Sequence, residues 1–98
     1  MKIEFKFIED PGHAWLMVHK DVAKQVGYAP TSYDYETEDH YYFEEDCSAG
    51  AFVRAYKAHH TDREVSFSSE YQERFRDMVE RVDMSPDREW PIDHLGEV

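Results

Sequence analysis

The sequence predicts an α+β domain, a mainly antiparallel four- to five-stranded sheet with two to three helices packed on one face. Three observations predict it. Ile3, Phe5 and Phe7 alternate with Lys2, Glu4 and Lys6, the period-two pattern of a strand with one solvated face. Two tyrosine- and phenylalanine-rich runs flank the polar Thr37-Glu38-Asp39, as a hairpin requires. Phe52, Ala55, Tyr56 and His59 recur at i, i+3, i+4 and i+7, one face of a helix of about three turns.

The remaining elements fall between these. Asp10-Pro11-Gly12 is a turn, since proline presets φ and glycine tolerates positive φ, so the first strand and the apolar run Ala14 to Val18 form a hairpin. Val22, Ala23 and Val26 are spaced for a short helix over Asp21 to Val26, which Gly27 stops and Pro30 ends. Ser32 to Glu36 and His40 to Glu45 are the second pair of strands. Asp46 and Ser48 are both suited to cap the helix that follows. Val65 and Phe67 alternate inward in a short fifth strand over Glu64 to Ser68. Tyr71, Phe75, Met78, Val79 and Val82 then repeat at helical spacing in one stripe, which predicts a C-terminal helix. Ser85-Pro86-Asp87 breaks it, leaving a folded domain over residues 1–84 and a tail over 85–98 that holds Trp90, Ile92 and Leu95.

Charge excludes whole classes of function. Twenty-two acids against eleven bases give a net charge of -11, so long-range repulsion opposes direct binding of nucleic acid or of an anionic membrane. Ala14 to Val18, the longest apolar run, is far shorter than the roughly 20 residues of a bilayer span. Met1 to Glu9 alternates charged with apolar residues, unlike a signal peptide. With one cysteine, Cys47, no intramolecular disulfide forms, which fits a reducing, cytoplasmic setting. The acidity is also uneven. Residues 1–33 carry four bases and four acids, whereas residues 34–50 carry seven acids and no base.

Candidate chemistry is sparse. The adjacent His59 and His60 point about 100° apart on a helix and do not share an ion; a buried His59 beside a solvated His60 accounts for the pair, and no metal or cofactor is expected. Cys47 precedes a helix, a place that favours a reactive thiol, but Glu44, Glu45 and Asp46 oppose it, and a small thiol buried under the helix is expected instead. There is no glycine-rich phosphate loop, no G-x-S-x-G elbow and no Cys-x-x-Cys pair, so no catalytic residue is assigned.

The base-free block is the candidate binding surface. Tyr33, Asp34, Tyr35, Glu36, Glu38, Asp39, Tyr41, Glu44, Glu45 and Asp46 interleave tyrosines, which give contact area at low entropic cost, with carboxylates that steer toward a basic partner. The same charges also suit a solvated edge hairpin, where they discourage strand-to-strand aggregation.

Three stretches carry a resemblance: Asp10-Pro11-Gly12-His13-Ala14-Trp15-Leu16-Met17-Val18, Ser32-Tyr33-Asp34-Tyr35, and Glu44-Glu45-Asp46-Cys47-Ser48-Ala49-Gly50 leading into Phe52 and Ala55. Over roughly residues 8–60 they resemble a group of small proteins of bacteriophages and other mobile elements, with a D-P-G-H-G-W-L-x-V opening and an E-E-D-C-D-A-G helix start. Ala14 stands where the group has glycine, and Ser48 where it has aspartate. The resemblance implies a mobile-element accessory protein in a bacterial cytoplasm, of the anti-CRISPR or antirestriction type. Such a protein would engage the basic surface of a nucleic-acid-handling host protein, a CRISPR effector or restriction enzyme, and inhibit it as a DNA mimic. The alternative is a non-inhibitory interaction domain working as a homodimer.

Overall fold

The computed structural model describes residues 1–84. Strand β1 (Lys2–Glu9) and strand β2 (Ala14–His19) form the expected hairpin, with Phe7 opposite Leu16 and Ile8 opposite Trp15. The turn is tied by Asp10, whose Oδ1 accepts from the N–H groups of Gly12 (2.9 Å) and His13 (2.8 Å). Burial of the Asp10 carboxyl works against ionisation, yet these two bonds and the charge of Arg76 hold its pKa below the usual value.

Helix α1 (Lys20–Gln25) is one and a half turns long and ends as its sequence indicates. Gly27 has φ 69°, the N–H of Tyr28 returns to Ala23 O (3.0 Å) and that of Gly27 to Lys24 O (3.1 Å), a paired closure of the last carbonyls. Strands β3 (Tyr35–Glu36) and β4 (His40–Glu44) follow, with Thr37 N bonded to His40 O across the loop. Helix α2 (Ser48–His59) lays Ala49, Phe52 and Tyr56 onto the sheet. Its N-cap is Cys47 and has no side-chain hydrogen bond; Ser48 is inside the helix and buried, facing Thr31 Oγ1 at 3.3 Å. Strand β5 (Glu64–Tyr71), the one-turn helix α3 (Phe75–Met78) and strand β6 (Glu80–Arg81) complete the described chain.

The six strands form one sheet in the order β5-β1-β2-β4-β3-β6. The sheet is mixed and has more strands than expected, because β5 pairs parallel to β1 over its whole length. The reason lies in α2. A helix crossing the sheet returns the chain in the direction of the strand before it, and β4 already runs parallel to β1 through their shared antiparallel neighbour β2. A strand set down beside β1 after that crossover has to be parallel to it.

Helices cover both faces, not one. Phe5, Leu16, Val18, Tyr41 and Phe43 pack under α1 and α2, with Phe5 edge-on to Phe52 (5.4 Å) and to Tyr56 (5.1 Å). On the opposite face Ile8, Trp15 and Tyr42 form a second core closed by Phe75 of α3, which stacks on Trp15 at 4.5 Å.

The predicted C-terminal helix is absent. Its stripe is dispersed: Tyr71 ends β5 and is exposed, Phe75 joins the second core, Met78 is exposed and Val82 joins the first core. Backbone pairing overrides the local helical pattern here. Glu9 is opposite Tyr71, Gln72 N donates to Glu9 O (2.7 Å), and Arg81 is opposite Tyr35 in β3, so both ends of the segment are held extended. Among the described residues no helix is long and apolar enough to cross a membrane. Trp90 and the rest of the tail lie outside the described residues.

Candidate functional site

Sheet geometry divides the predicted binding block into three parts. The first is interior. Asp34 is fully buried and Tyr41 nearly so, which removes both from any docking surface. Asp34 is a hub of local structure: Oδ2 accepts from Thr31 N (2.7 Å) and Thr31 Oγ1 (3.1 Å), and Oδ1 from Glu44 N (2.8 Å). Its own carbonyl accepts from Val82 N (3.1 Å), so one residue ties the loop before β3 to the end of β4 and to the segment after β6. Burial pushes its pKa up against the hydrogen bonds from Thr31, Glu44 and Ser48. The buried carboxylate is satisfied there by the three donors that converge on it.

The second part lies at the tip of the β3–β4 hairpin. Glu36, Thr37 and Glu38 line a cleft of about 490 Å³ together with Lys20, Met78, Val79 and Glu80. Glu36 is buried, held by Lys20 Nζ at 2.8 Å and by the N–H of Asp83 at 3.4 Å, so it is a wall of the cleft and not a free charge. Lys20 also lies 5.1 Å from the centroid of Tyr41, which fixes its ammonium over the sheet. Glu38 and Glu80 are exposed and form no ion pair among the described residues, and Asp39 is exposed beside them. Met78, 63% exposed, supplies an apolar side to the same cleft.

The third part lies at the other end of β4, about 14 Å away for a five-residue strand. Tyr33, Tyr35 and Glu44 line a cleft of about 310 Å³ with His13, Trp15, Arg76 and Arg81. Arg81 donates to Ser32 O (2.9 Å) and to the hydroxyl of Tyr35 (3.0 Å), with its guanidinium 5.0 Å from the ring centroid. Arg76 sits 5.4 Å from the centroid of Trp15, and its Nε is 3.4 Å from Asp10 Oδ2. Two guanidinium groups offset Glu44, so this cleft is of mixed charge. Glu45 and Asp46 are exposed just beyond it, and Tyr33 is 66% exposed. The three stretches behind the mobile-element resemblance thus meet at one place: His13 and Trp15, Tyr33 and Tyr35, and Glu44.

Residues missed in the sequence come mainly from the misread segment. Arg76, Met78, Glu80 and Arg81 line the two clefts, but a helix over Tyr71 to Val82 would have put Glu80 and Arg81 on solvent with no relation to the hairpin. The order Val79, Glu80, Arg81, Val82 does not alternate and carries no strand signal of its own, so nothing local stood against the helical stripe.

Two further expectations are corrected. Cys47 is exposed, because the N-cap position at the end of the Glu45–Cys47 turn projects away from the core that Ser48 and Ala49 enter. His59 is exposed and His60 is half-buried, the reverse of the expected order, since α2 ends at His59 and the chain turns His60 back against Tyr56 (4.7 Å between rings). Burial and the nearby Arg63 charge lower the His60 pKa. Among the described residues no three metal-ligating side chains gather in one place. Comparison with family models, curated proteins and solved structures finds no match for this chain.

Proposed function

We propose that this chain is a non-catalytic binding protein that engages a basic surface on a nucleic-acid-handling protein and inhibits it. The observation that carries the reading is the hairpin-tip cleft, where Glu38 and Glu80 stand exposed without a cation and Glu36 is already neutralised by Lys20. A lysine or arginine of the partner fits such a cleft twice over: its charge meets the two carboxylates, and its methylene stem lies along Met78. Glu45 and Asp46 at the far end of β4 add a second point of attraction. The mobile-element resemblance supplies the setting, a bacterial cytoplasm in which the partner is a defence enzyme. A DNA duplex carries about one negative charge per 1.7 Å of axis, or about six over 10 Å. The cleft offers two exposed carboxylates, Glu38 and Glu80, with Asp39 next in the chain, so inhibition rests on anchoring a few basic side chains more than on copying a duplex.

The test is a pull-down from nuclease-treated bacterial lysate with the wild type and with the double variant Glu38→Lys/Glu80→Lys. The expected result is a basic protein retained by the wild type, released as salt is raised, and lost with the double variant. A partner held equally well by both proteins, or one whose retention is indifferent to salt, overturns the reading.

A further inference from the structure

Strand β5 is one edge of the sheet, and its outer side is unpaired among the described residues. Which groups it presents follows from the ladder with β1. Glu64 N donates to Met1 O (2.8 Å) and Gln72 N to Glu9 O (2.7 Å), so the even-numbered residues turn their backbone groups inward. The N–H and C=O groups of Val65, Phe67, Ser69 and Tyr71 therefore point outward along an eight-residue strand. Two of the usual protections of an edge are missing, since β5 has no proline and no lysine; its charges are Glu64 and Glu70. Glu70 is engaged within the subunit by Gln72 (2.6 Å) and Lys6 (3.2 Å). Phe67 and Tyr71 are 45% and 58% exposed.

We propose that β5 pairs antiparallel with β5 of a second copy of this chain, about a two-fold axis through Ser68. This register follows from symmetry, since the outward-facing residues 65, 67, 69 and 71 are placed evenly about Ser68. A two-fold normal to the sheet keeps each side chain on its own face, so like parity must meet like parity. Centred on Ser68, Val65 is bonded to Tyr71 and Phe67 to Ser69 of the partner strand, and all the outward groups of both strands are used. Between them Ser68 faces its own copy, Ser66 faces Glu70, and Glu64 faces Gln72, with no like charges opposed. Centring on Phe67 instead sets Glu64 against Glu70 on both sides and leaves the outward groups of Tyr71 without a partner in the strand.

Charge points to the same occupant. In a chain of net charge -11, the β1–β5 edge is close to neutral, with Lys2, Lys6 and Arg63 against Glu4, Glu9, Glu64 and Glu70, a net -1. It is therefore a place where two copies meet without strong repulsion. The pairing joins two six-stranded sheets into one and sets the acid-lined clefts at its far ends, about 50 Å apart at about 4.8 Å per strand. A dimer of that form engages basic surfaces at two points.

The experiment uses the full chain. Sedimentation equilibrium over a range of concentration should give a dimer, and Ser69→Pro should weaken it by about tenfold or more. Ser69 turns its N–H outward, so proline there is compatible with the fold of the subunit. In a Cys47→Ser background, Ser68→Cys should form an intersubunit disulfide readily, since facing residues of a non-bonded pair have Cα atoms about 4.5 Å apart. Ser66→Cys, which faces Glu70, should not. A monomer at every concentration overturns the proposal, as does equal cross-linking of the two cysteine variants. A chain that dimerises only when residues 85–98 are deleted also overturns it, because its own tail would then occupy the edge. Glu38→Lys/Glu80→Lys should leave the dimer intact, so failure here and failure of the proposed function are told apart.

Discussion

Phe75 and Met78 are three residues apart, and the structure gives them opposite weights. Phe75 is 3% exposed; it stacks on Trp15 at 4.5 Å and lies edge-on to Tyr42 at 5.1 Å and Tyr35 at 5.9 Å. Through this one ring, α3 closes the second core. Truncation of a buried phenylalanine costs about 3–5 kcal/mol, the sum of lost transfer energy and the cavity left behind. A domain of this size has about 4–13 kcal/mol of stability in all, at about 0.05–0.15 kcal/mol per residue. Phe75→Ala should therefore lower the melting temperature by at least about 12 °C, taking about 4–8 °C per kcal/mol. Met78 is 63% exposed, and Met78→Ala should cost no more than about 0.5 kcal/mol. Urea denaturation of both variants, followed by far-ultraviolet circular dichroism, measures the two costs against the wild type. A C-terminal helix with Tyr71, Phe75, Met78, Val79 and Val82 in one buried stripe would make the two substitutions comparably damaging. Equal losses above about 1.5 kcal/mol for each would refute the dispersed arrangement and restore the helix.

Two more outcomes follow from the buried polar groups. Asp34→Ala removes the acceptor from the N–H groups of Thr31 and Glu44, at about 1–3 kcal/mol for each donor left unsatisfied; urea denaturation should show a loss of about 2–6 kcal/mol, and a loss under about 0.5 kcal/mol would mean that this carboxylate is not the hub. His40 is half-buried and close to His19 (5.2 Å between rings), and burial first, then the His19 charge, lowers its pKa from 6.5 against the pull of Asp39. A histidine with a lowered folded-state pKa contributes stability above its unfolded value, and that contribution is lost as the pH falls through the folded value. His40→Gln should accordingly flatten the decline of stability below pH 6.5, and an unchanged slope in paired urea titrations would count against the assignment.

Legibility in the sequence tracked the range of the interactions. The hairpin of β1 and β2, the closure at Gly27 and the helix over Ser48 to His59 rest on contacts within a few residues, and the pattern of side chains was enough to find them. The binding block was legible as composition only. Its carboxylates look equivalent in order along the chain, yet Asp34 accepts three hydrogen bonds in the interior, Glu36 is clamped by Lys20, and Glu38 remains on the surface. Nothing local distinguishes them, since each partner is brought in by folding.

The sequence alone determined the class of the domain, its main helix, its first hairpin and the concentration of acid around β3 and β4, because periodicity and turn chemistry act at short range. Tertiary structure alone decided that β5 runs parallel to β1, that the segment after it is extended at both ends around one turn of helix, and that Glu80 and Arg81 stand beside the hairpin. Those outcomes depend on where α2 carries the chain across the sheet. Once β5 is set down beside β1 and β6 beside β3, backbone hydrogen bonding over those strands outweighs the helical preference of the residues between them.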